Sequence, residues 1–271
     1  MKADDDNAFL AALCAERAGV KVDPHKAYLI ESRLGPVARR EGFGSVAELL
    51  AAVRGRGEER LAIACAEAMA PSETAFFRDR AVFEHIWREV APQIARRRAD
   101  GVVRLWSAGC GSGQEIYSLA MLQAEEPAPT GRVELFASDL SERLLDRARL
   151  GVYSSFEVQR GLSARQLVRH FENRDEHFQL AKRLRQDVRW RRVNLLDDLS
   201  PLGVFDVVLC RYVLTGLTGE ARRRAADELA RAVAPDGVLV LGAGEAPPPG
   251  FVADPAFSCV LRRAVEVRAA A

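Results

Sequence analysis

The stretch Arg104-Leu-Trp-Ser-Ala-Gly109-Cys-Gly111-Ser-Gly113-Gln-Glu115 sets three glycines at alternate positions between an apolar run and a helix start. Glycine lets the backbone turn sharply and leaves no Cβ between it and a ligand. The first turn of the following helix offers N–H groups without intrahelical partners. A loop that cradles a dinucleotide pyrophosphate carries its third glycine three residues after the second. Here the interval is two. That spacing favours S-adenosylmethionine (SAM) over a dinucleotide. The plainer alternative is a tight strand-to-helix turn with no ligand.

Three further segments extend the pattern. Asp139 ends the next apolar run, Leu135-Phe-Ala-Ser-Asp139, one helix and one strand after the glycines. An acidic residue there is placed to accept hydrogen bonds from a ribose diol, although it could also cap the helix that follows. Val193-Asn194-Leu195-Leu196 closes a later run, where a polar side chain can read an adenine edge while Leu195 packs on the ring; Asn at a strand end can equally be a turn former. Phe205-Asp-Val-Val-Leu-Cys210-Arg211-Tyr212 is the fourth run with its exit, and Ala234-Pro-Asp-Gly237 reads as the turn into a fifth.

These residues need a scaffold. Strands are expected at Arg104–Ala108, Val133–Ser138, Val188–Val193, Phe205–Cys210 and Val238–Gly242, with a last one from Cys259 to Val267. Helices are expected between them at Gln114–Gln123, Glu142–Arg149 and Glu220–Val233. The alternation predicts a doubly wound, Rossmann-like parallel sheet. The stretch from Asp139 to Val188 is too long for one crossover helix and must hold an extra element. Before Arg104 the period is helical. Phe9, Leu10, Leu13 and Ala18 mark one helix. Ala27, Ile30, Leu34 and Val37 mark a second, which Gly35-Pro36 could kink or end. Val46, Leu49, Leu50 and Val53 mark a third, and Leu61 to Met69 a fourth. Pro71 stops helix, and Ser72-Glu73-Thr74 reads as a turn or cap.

Composition narrows the function. The 271 residues carry 39 Lys plus Arg against 38 Asp plus Glu, a formal net charge of +1. Such a balance argues against coating nucleic acid or an anionic membrane. Five cysteines without a C-x-x-C pair, and four histidines, speak against a zinc site or a disulfide framework. No metal is expected. The N-terminus, MKADDDNAF, has neither the basic start nor the apolar core of a signal peptide, and no apolar run approaches the ~20 residues that span a bilayer. A cytoplasmic protein, not itself a membrane protein, is expected.

Read together, the segments resemble the CheR family of chemoreceptor glutamate methyltransferases. Ser72-Glu-Thr74-Ala-Phe-Phe-Arg78-Asp79 is similar to the family's N-E-T-x-F-F-R. Leu105-Trp-Ser-Ala-Gly-Cys110, Glu115-x-Tyr-Ser-Leu-Ala-Met121, Ala148-Arg-Leu-Gly-Val-Tyr153, Val193-Asn-Leu-Leu196 and Leu209-Cys-Arg211 also match, as do the front helices with Lys26 and Arg33-Leu34. The resemblance implies a class I SAM-dependent methyltransferase, an α/β fold preceded by a small all-α domain. It implies a helical domain over 1–70, a linker over 71–80 that contributes to the SAM site, and a catalytic domain over 81–271. An insert subdomain over about 154–187 lies between the second and third strands.

The resemblance further implies SAM contacts from Ser72, Thr74, Arg78, Glu115, Asp139, Asn194, Leu195, Arg211 and Tyr212, beside Gly109, Gly111 and Gly113. Glu115 would hold the methionyl ammonium. Arg78, the one candidate for a catalytic role, would sit near the methionyl carboxylate or the incoming substrate. The implied reaction turns glutamate carboxylates of a chemoreceptor's cytoplasmic helical bundle into methyl esters, leaving S-adenosylhomocysteine (SAH). The acidic acceptor calls for a basic surface. Lys26, Arg33 and Arg40 could share a helix face, and the insert carries Arg165, Arg169, Arg174, Lys182, Arg183 and Arg185. Some members grip a receptor's C-terminal pentapeptide through a glycine-bearing loop. Asn173-Arg-Asp-Glu-His-Phe178 has no glycine, so no pentapeptide binding is expected.

The chain departs from the family pattern in places. Ser72 replaces Asn, Ile116 replaces Pro, and the family's C-R-N-V-x-I-Y-F reads Cys210-Arg-Tyr212-Val-Leu-Thr-Gly216-Leu217. Tyr212 and Gly216 bear on rate or acceptor, so a SAM-binding regulatory or scaffold protein with reduced or lost turnover stands as the alternative to the enzyme.

Overall fold

A computed structural model describes residues 2–126 and 132–264. By their contacts these fall into two units. One is the segment up to Pro71 together with Val213–Ala225; the other is Ser72–Tyr212 together with the chain from Ala226 onward.

The first unit is helical, with α1 (Lys2–Ala18), α2 (Ala27–Arg40), α3 (Val46–Arg56) and α4 (Glu59–Met69). The apolar positions at helical spacing form its core: Leu10, Ile30, Leu34, Leu49, Leu50 and Leu61 are buried. α3 begins where the Ser45 side chain accepts the Glu48 N–H and ends at Gly57, whose φ of 60° suits glycine. Gly35-Pro36 does not interrupt α2. Pro36 removes the N–H that would bond the Ser32 carbonyl, but both residues are exposed, so that carbonyl meets solvent. Burial of Ile30, Leu34 and Val37 on the other face outweighs the loss, at about 1.5–3 kcal/mol per aliphatic side chain. Val213–Ala225 joins these helices through a bridge between Val20 and Leu217 and a 2.8 Å bond from the Lys21 N–H to the Gly216 carbonyl.

The second unit opens with a helical stretch not anticipated from the sequence: α5 (Arg80–His85), a π-turn over Ile86–Val90, and α6 (Ala91–Ala95). Its Val82, Phe83, Ile86, Trp87, Val90 and Ile94 are buried. There follow β1 (Val103–Ala108), α7 (Gln114–Glu125), β2 (Val133–Asp139) and α8 (Glu142–Leu150). The insert comes next, with β3 (Val152–Ser154), α9 (Ser155–Gln159), α10 (Ala164–His170), β4 (Phe171–Arg174), β5 (His177–Leu180) and α11 (Lys182–Gln186). Its strands make an antiparallel sheet in the order β3-β5-β4. The chain returns through β6 (Val188–Arg192) and β7 (Phe205–Cys210), and after α12 (Gly219–Ala232) ends in β8 (Val233–Leu241), β9 (Phe251–Ala253) and β10 (Val260–Arg263).

The main sheet runs β6-β2-β1-β7-β8-β10-β9. Pairing is parallel from β6 to β8 and antiparallel for β10 and β9. This is the doubly wound α/β architecture with an insert between the second and third strands of the main sheet. Val207, Leu209, Val238 and Val240 are fully buried, as the apolar runs require. Ala234-Pro-Asp-Gly237 falls inside the span of β8 but outside its pairing: Phe205 pairs with Val233 and Val207 with Val238, so these four residues are looped out opposite Asp206 ahead of the paired run Val238–Leu241. Gly237 permits it, because a Cβ there would stand 2.6 Å from the Asp206 carbonyl oxygen. The last strand is the shorter β10; residues 265–267 of the expected span lie outside the described residues. Among the described residues no helix is long and apolar enough to cross a membrane.

One ion-pair group ties the base of this sheet. Arg98 donates to Asp206 Oδ1 from Nε at 2.9 Å and Nη2 at 2.5 Å, and to Asp236, while the Arg104 N–H donates to Asp206 Oδ2 at 2.8 Å. Asp206 is buried. Asp206→Ala leaves Arg98 with Asp236 alone and takes the acceptor from the Arg104 N–H, and is expected to lower unfolding free energy by about 1–3 kcal/mol in urea titrations followed by circular dichroism.

Candidate functional site

The winding of the sheet reverses between β1 and β7. From β1 the chain proceeds to β2 and β6 on one side, then crosses to β7 and β8 on the other. Ligands of open α/β sheets bind at the carboxyl ends of the strands at such a switch point. The glycine loop leaves β1 there, and Cys210-Arg211 leaves β7.

Gly109, Gly111 and Gly113 all hold left-handed φ, at 70°, 57° and 89°. Packing demands two of them. A Cβ on Gly111 would sit 3.1 Å from Thr74 Cγ2, and one on Gly113 would sit 3.0 Å from both Ala148 Cβ and Trp190 Cη2. The Gly111 N–H donates to Asp139 Oδ2 at 2.8 Å, and the Ser141 N–H to Oδ1 at 2.9 Å. Burial raises the Asp139 pKa while these N–H bonds hold it down. Thr74, Gly111 and Asp139 are thus neighbours. Ser72 is exposed, with its carbonyl oxygen 3.5 Å from the same Gly111 Cβ position.

A second group surrounds Arg211, whose side chain has 0% exposure. Its Nη1 donates to Glu115 Oε1 at 2.5 Å and to the Arg78 carbonyl at 2.9 Å, and its Nη2 donates to Asp79 Oδ2. Glu115 lies in the first turn of α7, where the helix dipole favours a negative charge. Burial nevertheless pushes its carboxyl up to about 7, against the pull of Arg211 and then Arg78. Arg78 rests on the Tyr212 ring, with Cζ 3.5 Å from the centroid. Phe77, Asp79 and Tyr212 hold φ of 46°, 60° and 60°, a conformation that costs a non-glycine residue on the order of 1–3 kcal/mol. Bonds on several sides hold them there. The Phe77 N–H donates to Ser118 Oγ at 2.8 Å, and Phe76 makes edge contacts with Tyr153 and Phe171.

Asn194 and Leu195 follow β6, whose Arg192 pairs with Asp139, so they occupy the same end of the sheet. Asn194 Oδ1 accepts the Leu196 N–H at 3.1 Å, and Leu195 is buried. Asp79 and Glu245 were given no role from the sequence. Asp79 adjoins Arg78 in the matched segment. Glu245 follows β8 much as Asp139 ends β2, and that placement is the signal that could have revealed it.

The chemistry on offer is specific. A buried carboxylate near a guanidinium whose side-chain N–H groups find no acceptor among the described residues suits the two charges of an α-amino acid. Each Asp139 oxygen has a second lone pair for a vicinal diol. Thr74 Oγ1 is buried without a hydrogen-bond partner, a cost a polar ligand atom would relieve. These are the groups that SAM requires. Burial raises all five thiols, Cys14 and Cys65 to about 12, so none is a thiolate nucleophile at neutral pH.

Other residues from the sequence reading fall differently. The expected stripe of Lys26, Arg33 and Arg40 is not a free basic face. Arg33 donates to the Met69 carbonyl at 2.5 Å, Lys26 lies 3.9 Å from Asp23, and Arg40 pairs with Glu41. In the insert, Arg185 binds the Leu180 carbonyl and Arg174 pairs with Glu172, whereas Arg165, Lys182 and Arg183 are exposed. Gly216 belongs to the first unit, and a Cβ on it would stand 2.4 Å from Pro71 Cγ. A tyrosine at 216 therefore cannot simply be restored.

Comparison with known proteins agrees with this chemistry. A family model described as the SAM-binding domain of CheR methyltransferase matches residues 72–251, and one described as the CheR all-alpha domain matches 5–64. A chemotaxis protein methyltransferase of Pseudomonas putida is 33% identical over 244 residues, 88% of this chain and 87% of its own. One from Pseudomonas aeruginosa is 35% identical over 245 residues, again 88% and 87%. Among solved structures, a glycopeptide N-methyltransferase complexed with SAM aligns over 56% of this chain and 51% of its own, at 14% identity and a TM-score of 0.35, too remote to bear on the site.

Arg211→Met removes the cation that offsets the burial of Glu115. The Glu115 carboxyl, now near 7, should then titrate at higher pH, which ¹³C NMR of labelled glutamate would read directly.

Proposed function

The chain belongs to the CheR methyltransferase family, and from that premise we propose that it methylates glutamate side chains on the cytoplasmic helical bundle of a chemoreceptor. The observation that carries the reading is the family match over both units, joined to a Glu115–Arg211 pair beside Arg78 at the switch point. SAM supplies an electrophilic methyl group, which an acceptor carboxylate takes in a displacement that leaves SAH.

The residues are assigned as follows. Glu115 holds the methionyl ammonium and Arg78 the methionyl carboxylate, with Arg211 fixing Glu115. Asp139 takes the ribose hydroxyls, Asn194 and Leu195 the adenine, and Thr74 a polar atom beside the glycine loop. Ser72 and Tyr212 border the same site. An acceptor glutamate has an ordinary pKa of about 4.3 and is ionised at neutral pH, so no general base is required. The absence of a histidine from the residue groups described above is consistent with this. Excluding water from the carboxylate and holding it in line supply most of the acceleration. Arg165, Lys182 and Arg183 suit an acidic protein surface. The β4–β5 hairpin turns through Asp175-Glu176 without glycine, and on that ground this protein does not bind a receptor C-terminal pentapeptide; a micromolar affinity for such a peptide would refute that point. A scaffold role without turnover is not favoured, since the relatives above are all named as methyltransferases.

Tritiated methyl from SAM should appear on membranes carrying chemoreceptors and leave as methanol in base. Label stable to base would exclude a carboxyl ester. Affinity for SAM should also follow pH. Only ionised Glu115 holds an ammonium, and a carboxyl near 7 is mostly protonated below that pH. Calorimetry should find binding weakening as pH falls through 7, by up to about tenfold per unit, while an α-amino group of pKa about 7.7–8.0 stays charged. Glu115→Gln should bind weakly throughout and lose the slope.

A further inference from the structure

Tyr212 stands where the family pattern has Asn, and the structure gives it an elaborate seat. Its left-handed φ of 60° points the ring back across the loop after β8. The Tyr212 N–H donates to Glu245 Oε2 at 2.8 Å, and the Gly242 N–H reaches the same oxygen at 2.7 Å. The ring lies on Gly242, where a Cβ would stand 2.6 Å from Tyr212 Cδ1 and 2.7 Å from Cε1. The phenol donates to Asp79 Oδ2 at 3.0 Å and accepts the Ala243 N–H at 3.3 Å. On the ring rests Arg78, 3.5 Å from the centroid. Asp79, Gly242 and Ala243 thus converge on one aromatic side chain, and Glu245 holds the backbone N–H of the same residue.

We propose that Tyr212 is a positioning residue for Arg78, and that Gly242 is matched to it as the seat of the ring. A guanidinium stacked on an aromatic face keeps its N–H donors in plane and open to a carboxylate. Without the ring, Arg78 is a long side chain with no other hydrogen-bond or ion-pair anchor among the described residues, and its orientation must be frozen each time a ligand binds. Gly242 is the companion requirement, since any larger residue displaces the ring. The inference rests on the reading that Arg78 serves the methionyl carboxylate.

The test uses the full-length protein and two ligands by calorimetry. SAH carries the amino-acid end; 5′-methylthioadenosine has the same nucleoside thioether without it. The ratio of the two affinities isolates the amino-acid end, and a merely structural role for Tyr212 would leave it unmoved. Tyr212→Leu is expected to lower SAH affinity about tenfold or more while changing methylthioadenosine affinity less than about twofold, the size of one charge-assisted carboxylate contact. Tyr212→Phe keeps the stack and should recover the ratio to within about threefold of the wild-type value. Equal loss for both ligands, or no loss for either, in Tyr212→Leu would overturn the proposal. Arg78→Met separates the two levels. If it leaves the ratio intact, the assignment of Arg78 fails and the proposal with it; if it lowers the ratio and Tyr212→Leu does not, only the proposal fails. Should Tyr212→Leu not fold, Gly242→Ala tests the seat alone, with a fall in the ratio expected and an unchanged ratio refuting it. In a folded Tyr212→Leu background the same Gly242→Ala change should have no further effect on the ratio.

Discussion

Much of the site depends on a buried cation. Arg211 has no solvent, so its guanidinium must find acceptors within the protein or cost several kcal/mol. It finds Glu115, Asp79 and the Arg78 carbonyl. Arg211 itself follows β7, and its partners come from two other parts of the chain: the first turn of α7 and the segment before α5. One guanidinium therefore sets the spacing between the glycine-loop helix and the stretch that carries Arg78. Counting Arg78, the group holds two basic and two acidic side chains, of which Arg211 and Glu115 are buried. The bond from Arg211 to Asp79, with those from the Phe77 N–H to Ser118 and the Tyr212 N–H to Glu245, holds these three residues in conformations that only surrounding structure can maintain.

The glycine loop illustrates how two demands coincide. Its spacing reads as a place for a ligand, with a tight turn as the alternative, and packing accounts for the turn. Gly113 is required because Ala148 and Trp190 close on it, and Gly111 because Thr74 does. The loop is thereby pressed into a shape in which the Gly111 N–H binds the very carboxylate that ends the neighbouring strand. Packing builds the loop, and the loop then orients Asp139.

Two departures from the family pattern look alike in the sequence and differ in space. At Gly216 the missing side chain is matched by Pro71, which occupies the position a Cβ would need. At Tyr212 the added ring is matched by a glycine at 242. Compensation of this kind joins residues about thirty and more than a hundred apart, and no local period or spacing announces it.

Sequence alone determined the class of fold, the glycine loop, Asp139, Glu115 and Arg211 as candidates, and the helical character of the first seventy residues. It could do so because these rest on short-range rules: side-chain period, glycine's access to left-handed φ, and polar residues at strand ends. It missed α5 and α6, and it left open whether Lys26, Arg33 and Arg40 form a partner surface or only a solvated charged face. Those depend on which neighbour a residue meets. Only the tertiary structure decided that Arg33 serves a carbonyl of α4, and that Asp79, Gly242 and Glu245 belong with Arg78 and Tyr212. The physical reason is that a buried charge or ring is satisfied by whatever the fold brings within 3 Å or so, and sequence separation carries no information about that distance.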